Sequence, residues 1–259
     1  MTKFVKVYGE RNTGTNYLEQ LIKLNFDIKI LPGVLPEYLR VIWDIKKQMP
    51  KLYDRYYFVE NFLEFYFQIT KSKYLGWKHS LISADILKSI DNLSESVFFV
   101  TITKNPYSWL LSLHNRPYHS QIIYDSFEEF LIKPWKTTGR DNFLKDFSNP
   151  IEMWNVKNNS YRLLAEKYPT KNVRYEDLLG DFKGVLNSIS DFFDIDKKFD
   201  SFKNINRSTK GDKKDFDFYK KYYLDELWKD KLSDKAIYII NKILDEDILE
   251  YFGYKKIKK

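Results

Sequence analysis

The sequence predicts an α/β fold, a mostly parallel central sheet flanked by helices. Three observations predict it. A short β-branched segment near the start runs through a glycine-bearing loop into a helical pattern; Val97-Phe98-Phe99-Val100-Thr101-Ile102-Thr103 is almost unbroken in its apolar character; and strand-like segments alternate with helix-like ones. Apolar runs of that kind suit strands covered on both faces, and the alternation gives parallel pairs joined by right-handed crossovers.

Phe4-Val5-Lys6-Val7-Tyr8 is the first expected strand, followed by the loop Gly9-Glu10-Arg11-Asn12-Thr13-Gly14-Thr15-Asn16. From Tyr17 the apolar residues Leu18, Leu21, Ile22 and Leu24 recur at helical spacing. Residues 35 to 69, rich in Tyr, Phe and Leu, predict about two helices broken at Pro50. Tyr74-Leu75-Gly76-Trp77-Lys78 is read as the second strand, Val97 to Thr103 as the third, and Asn172-Val173-Arg174-Tyr175 as the fourth, ahead of a helix over Phe182 to Phe193. Residues 114 to 155, punctuated by Pro117, Pro134, Gly139 and Pro150, are read as irregular, a segment able to wall a substrate site. Helices are expected around Tyr222 to Trp228 and Lys235 to Leu249, with Gly253 as the stop. The 9 Gly and 8 Pro are too scattered to mark a linker, and no internal repeat is visible, so one domain over residues 1–259 is expected.

Composition narrows the function. With 20 Phe, 20 Tyr and 6 Trp in 259 residues, and 43% hydrophobic residues, the chain is not globally disordered. It has no Cys, which excludes a disulfide scaffold, a thiolate nucleophile and cysteine-based metal sites. No apolar run approaches the roughly 18 to 20 residues that span a bilayer, and the start lacks a signal-peptide pattern, so a soluble, cytoplasmic protein is expected. A net charge of +7, with both signs interspersed, suggests an anionic ligand and not a nucleic acid. The run Lys255-Lys256-Ile257-Lys258-Lys259 reads as a solvated tail.

Gly9 and Gly14 are spaced as in a Walker A loop and sit between strand and helix. Thr15 and Asn16 stand where that loop ends in Lys-Ser/Thr, so the lysine that reaches terminal phosphates and the usual hydroxyl for magnesium are missing. What remains is a turn of backbone amides at a helix N-terminus, the hydroxyls of Thr13 and Thr15, and Arg11, a site for a phosphate-like anion. Further on, Lys104-Asn105-Pro106-Tyr107-Ser108-Trp109-Leu110-Leu111-Ser112 puts Lys104 at the C-terminal edge of the third strand, where open parallel sheets bind ligands, and Ser112 two turns into the next helix.

Taken with Val173-Arg174-Tyr175-Glu176-Asp177-Leu178-Leu179, these motifs resemble the sulfotransferases that use 3′-phosphoadenosine 5′-phosphosulfate (PAPS). The resemblance implies a P-loop-like sulfotransferase fold with PAPS as donor, 3′,5′-adenosine bisphosphate (PAP) as product and no metal, beside the absence of a nucleic-acid partner and of a membrane span expected from charge and hydropathy. Arg11-Asn12-Thr13-Gly14-Thr15-Asn16 looks like the family's loop for the 5′-phosphosulfate. Lys104 and Ser112 have the spacing of the arginine and serine that hold the 3′-phosphate, although lysine lacks the bidentate fork. Tyr17 and Tyr175 match aromatic positions near the adenine. Lys210 and Gly211 keep part of a C-terminal motif against the 3′-phosphate, with Arg207 as a substitute.

Moving a sulfuryl group to a hydroxyl needs a base for the acceptor and positive charge beside the departing phosphate. His79 follows Gly76-Trp77-Lys78 at the expected sheet edge and resembles the family's Lys-x-His segment; an imidazole, with an ordinary pKa of about 6.5, can take a hydroxyl proton at neutral pH. Arg11 and Lys78 are expected to balance the charge. Carbohydrate members often use glutamate, which makes Glu37 and Glu10 the reserve bases. The three histidines lack the i, i+4 spacing of a helical zinc pair. His114 and His119 are candidates to face the acceptor, and Tyr118, Tyr124, Trp135 and Arg140 point to a sugar or glycan. The alternatives are a P-loop nucleotide kinase or other phosphotransferase, and a non-catalytic member of the fold that binds a nucleotide or polyanion.

Overall fold

The computed structural model describes residues 3–48, 52–93, 97–118, 124–207 and 214–258. Along the chain come β1 (Phe4–Tyr8), α1 (Thr15–Asn25), β2 (Lys29–Ile30), a 3-10 turn (Glu37–Leu39), α2 (Val41–Gln48), α3 (Leu52–Ile69), α4 (Lys71–Tyr74), α5 (Ala84–Asp91) and β3 (Val97–Thr103). Then follow α6 (Pro106–Asn115), α7 (Phe127–Ile132), a 3-10 turn (Gly139–Asp141), α8 (Pro150–Lys167), β4 (Thr170–Arg174), α9 (Tyr175–Gly180) and α10 (Phe182–Phe193). The last elements are α11 (Phe216–Leu224), a 3-10 turn (Lys229–Lys231), α12 (Asp234–Ile243) and α13 (Glu246–Tyr251). The strands form one sheet in the order β2-β1-β3-β4, with every pair parallel. The α/β class and the parallel sheet are those expected from sequence.

Helices cover the sheet because its apolar side chains are buried: Val5, Phe99, Val100 and Ile102 have no exposed surface, and Leu18, Leu21 and Ile22 of α1 are equally enclosed. The register decides where the site forms. Tyr8 pairs with Thr101, and Thr103 pairs with Arg174, so Gly9, Lys104 and Tyr175 leave neighbouring strands on one edge.

The expected second strand is not one. Lys71–Tyr74 is helical, and Leu75 and Gly76 have φ of 59° and 71°, in the left-handed region that no strand uses. The ammonium of Lys6, which has no exposed surface, holds this segment by donating to the carbonyls of Tyr74 (2.7 Å), Gly76 (2.6 Å) and Pro32 (2.8 Å). Lys78 N then donates to Gly33 O and Gly9 N donates to Lys78 O, each at 3.0 Å. The segment thus lies against the end of β1 without joining the ladder. The true second strand, β2, is two residues long and too short to leave a periodic signal.

The described residues between 114 and 155 are also more ordered than expected. Ser126 caps α7 by accepting from Glu129 N, and Asn149 caps α8 by accepting from Ile151 N and Glu152 N, with Pro150 in the first turn. The expected helix at Tyr222 to Trp228 lies earlier, at Phe216–Leu224, and the one at Lys235 to Leu249 breaks at Leu244, after which Asp245 caps α13. Pro50, the expected break between α2 and α3, lies outside the described residues. Among the described residues no helix is long and apolar enough to cross a membrane.

Candidate active site

The loop after β1 is shaped by contacts that only bare backbone permits. Gly14 has φ of 91°, and a Cβ there would lie 2.5 Å from Cδ2 of Tyr175. A Cβ on Gly9 would lie 2.5 Å from Cγ2 of Ile102. Thr13 closes the turn on Glu10 O, through its N (3.3 Å) and its Oγ1 (2.6 Å). Gly14 precedes the first residue of α1 and offers no side-chain cap. The amides of Gly14, Thr15 and Asn16 therefore have no acceptor among the described residues, the condition in which a helix start takes up an anion.

Beside this loop sits Lys104, fully buried. Its Nζ donates to Ser112 Oγ at 2.9 Å and lies 3.9 Å from the ring centre of Tyr223 and 5.4 Å from that of Tyr175. Ser112 Oγ is 3.3 Å from the Tyr223 hydroxyl, and Asn12 Nδ2 donates to Ser112 O at 3.3 Å. Asn12, Gly14, Lys104, Ser112 and Tyr175 are thus gathered at one place. Burial lowers the Lys104 pKa to about 7 while Glu176 opposes the shift. Glu176 is itself pushed up by burial, against hydrogen bonds donated by the Tyr254 hydroxyl (2.7 Å) and Asn105 N (3.0 Å). Among the described residues Ser112 is the only hydrogen-bond acceptor of the Lys104 ammonium, which can donate three.

Sequence reasoning missed Tyr223. It belongs to α11, far along the chain from β3, and no local spacing ties it to Lys104. Tyr17 donates to Asn204 Oδ1 at 2.6 Å and packs 6.0 Å from the ring of Phe216, which places it next to the start of α11. Arg207 pairs with Asp215 in an antiparallel bridge. Lys210 and Gly211, like His119, lie outside the described residues.

Lys78 and His79 diverge. Lys78 Nζ donates to Asn16 Oδ1 (2.6 Å) and Glu19 Oε2 (2.8 Å), so its charge is met at the first turns of α1. Burial lowers its pKa and Glu19 raises it. His79 Nδ1 is 2.5 Å from Gly9 O, and its ring meets Trp77 edge-on at 4.9 Å. A carbonyl partner assigns the proton to Nδ1 and leaves the lone pair on Nε2, which has no partner among the described residues. Burial first, then the charges of Lys78 and Arg11, hold the His79 pKa well below 6.5, so the imidazole is neutral at physiological pH. Arg11 is 3% exposed; its guanidinium carbon lies 4.4 Å from the Trp77 ring centre and its Nη1 is 3.3 Å from Glu10 Oε1.

Several candidates are corrected. Glu10 is not free to act as a base: Oε1 accepts from Arg11 N at 2.6 Å and Oε2 is ion-paired with Lys157. Glu37 is exposed in a 3-10 turn and, among the described residues, is ion-paired with Arg40 alone, at 3.9 Å. His114 packs among Phe127 (5.4 Å) and Phe130 (5.2 Å), where burial lowers its pKa; it belongs to an aromatic cluster. Trp135 is 1% exposed and cannot stack on a sugar, and Tyr124 packs on Phe130. Tyr118 does reach the loop, donating to Asn12 Oδ1 at 3.1 Å. Arg140 binds Glu60 and Glu64, each at 2.7 Å, with its guanidinium carbon 4.8 Å from the Trp77 ring centre. Beside Trp77 opens a cleft of about 300 Å³ whose walls include Glu64, Gln68, Arg140 and Asn142.

No family model and no curated protein matches the chain. Solved structures do. A sulfotransferase domain from the curacin biosynthetic pathway is 13% identical over 99% of each chain, with a TM-score of 0.49. A sulfotransferase domain from the Synechococcus PCC 7002 olefin synthase is 15% identical over 93% of this chain and 94% of that one, with a TM-score of 0.44. The mouse sulfotransferase SULT7A1, complexed with PAP, is 13% identical over 97% of this chain and 79% of that one, with a TM-score of 0.39.

Proposed function

We propose that the protein transfers a sulfuryl group from PAPS to a hydroxyl, releasing PAP, and that the acceptor is a saccharide. The observation that carries the reading is the buried ammonium of Lys104, left among the described residues with a single hydroxyl acceptor next to open helix-start amides. A nucleotide with phosphates at both 3′ and 5′ positions meets both needs. Its 5′-phosphosulfate lies on the amides of residues 14 to 16 with Arg11 alongside. Its 3′-phosphate takes Lys104 and Ser112, and its adenine lies near Tyr17 and Tyr175.

In the transfer step the acceptor oxygen attacks sulfur in line as the bond from sulfur to the 5′-phosphate oxygen breaks, and His79 Nε2 takes the acceptor proton. A low pKa keeps His79 unprotonated but makes it a weak base; the negative charge of bound PAPS raises it toward its working range. Arg11 meets the charge that builds on the departing phosphate. Lys78 acts through Asn16, its own charge being balanced by Glu19. The saccharide is supported by the cleft beside Trp77, whose walls carry the polar side chains of Glu64, Gln68 and Asn142.

The test is His79→Ala, assayed by sulfate transfer from labelled PAPS to a saccharide panel and by calorimetry with PAP. Transfer should fall by about 10² to 10⁴, the range of a lost general base, with PAP affinity almost unchanged. Equal losses of transfer and affinity would make His79 a structural residue. Stabilisation by ATP with magnesium, and none by PAP, would favour a kinase.

A further inference from the structure

We propose that Lys157 is a positioning residue for this transfer: one ammonium fixes the backbone of His79 and the carboxylate that holds Arg11, and so sets the base and the cation relative to each other. The inference rests on the proposed function.

Lys157 projects from α8 with no exposed surface. Its Nζ donates to His79 O at 2.8 Å, to Asp141 Oδ1 at 2.7 Å and to Glu10 Oε2, so all three protons are used. Each acceptor anchors a different loop. Glu10 carries the turn after β1, and its other oxygen accepts from Arg11 N. Asp141 closes the turn before Phe143: its Oδ2 accepts from Thr138 N (2.9 Å) and Thr138 Oγ1 (2.8 Å), and its carbonyl accepts from Leu81 N (2.8 Å). His79 lies on the segment that leaves the sheet without a strand, so a helix supplies what the ladder does not.

Three cations act on His79: Lys78 from its own segment, Arg11 from the loop after β1, and Lys157 from α8, the last paired with Glu10 and Asp141. Tyr161, on α8 one turn past Lys157, is buried with an unpartnered hydroxyl near Glu10 and Asp141. Lys157 opposes protonation of His79 both by its charge and by neutralising the two carboxylates. Losing it loosens the His79 backbone and strips that protection together.

Lys157→Met alone leaves two buried carboxylates without their cation and is expected to fold poorly. The charge-neutral double variant Lys157→Met with Asp141→Asn avoids this, and Lys157→Arg is the conservative rescue. Two readouts are needed: steady-state kinetics with PAPS, and a proton NMR titration of the His79 ring in the full chain, assigned by comparison with His79→Gln. In the double variant kcat should fall about tenfold to a hundredfold, the scale of a misplacement of about 1 Å, with PAP affinity held. The His79 midpoint should move upward, and Lys157→Arg should restore most of both. A double variant that loses thermal stability but keeps wild-type kcat and an unmoved His79 titration overturns the proposal. If the wild type transfers no sulfuryl group, the function fails, while the titration still decides whether Lys157 governs His79.

Discussion

The ammonium of Lys104 makes nucleotide affinity depend on pH in a direction that can be worked out beforehand. Burial lowers its pKa to about 7, with Glu176 opposing. A 3′-phosphate on Nζ favours the charged form, so the bound protein keeps the proton that the free protein loses as pH rises. Above about pH 7 binding must therefore take up a proton, and each further unit weakens it about tenfold, or about 1.4 kcal/mol; between about pH 7 and pH 9 the loss approaches a hundredfold. The stability of the ligand-free protein moves the other way. The unfolded lysine stays protonated to about pH 10.4, so the unfolded chain binds more protons over that window and the folded state gains stability with rising pH. Calorimetry with PAP across this range, in buffers of different ionisation enthalpy, reads both the affinity and the proton uptake. Adenosine 5′-monophosphate, which lacks the 3′-phosphate, is the control and should show no such slope. Lys104→Arg should bind PAP with the slope removed, because a guanidinium stays charged throughout. A flat PAP profile in the wild type, or the same slope with the monophosphate, would refute the assignment of Lys104 to the 3′-phosphate.

Two further outcomes follow from the same corner of the molecule. Tyr223→Phe keeps the ring over Lys104 but removes the hydroxyl beside Ser112, and should weaken PAP by about 1 kcal/mol with little change in melting temperature; unchanged calorimetric affinity would take that hydroxyl out of the site. Gly14→Ala forces a Cβ into a positive-φ position and into the Tyr175 ring, and should cost about 1 to 3 kcal/mol and abolish PAP binding; a variant with wild-type melting and affinity would mean that the loop does not have this shape.

What the sequence disclosed depended on whether the signal was local. β1, β3 and the helix at Phe182–Phe193 were legible because each carries its own apolar pattern, and Lys104 with Ser112 because both lie on one strand-to-helix junction. The segment Tyr74 to Lys78 misled because its apolar residues are buried as a strand's would be, yet its order comes from the distant ammonium of Lys6. Glu10 looked available for catalysis for the same reason: its partner, Lys157, lies on α8, and no spacing in the sequence connects them. Trp135 and Tyr124 suggested a sugar platform by composition alone, whereas side-chain packing assigns them to the core.

Among the described residues four lysines are buried to 1% exposure or less, Lys6, Lys78, Lys104 and Lys157, and their partners separate them. Removing an ammonium from water costs several kcal/mol unless acceptors replace its hydration. Lys157 has two carboxylates and a carbonyl, Lys78 has a carboxylate and an amide oxygen, and Lys6 has three carbonyls. A lowered pKa does not mark the odd one, since burial brings Lys6 to about 7 as it does Lys104. Three neutral carbonyls use every proton of Lys6 without cancelling its charge, whereas Lys104 has protons to spare. Methionine at the two positions should then act in opposite senses. Lys6→Met orphans three buried carbonyls and should destabilise the protein by about 3 kcal/mol or more, at about 1 kcal/mol or more for each. Lys104→Met takes one donor from the Ser112 hydroxyl, which keeps Ser108 O at 2.8 Å and the Tyr223 hydroxyl at 3.3 Å, and should leave the ligand-free protein between unchanged and about 2 kcal/mol more stable, while removing most of the thermal shift given by PAP. Thermal unfolding with and without PAP compares the two directly. If Lys104→Met destabilises the ligand-free protein as Lys6→Met does, Lys104 is a structural ammonium and the anion belongs elsewhere.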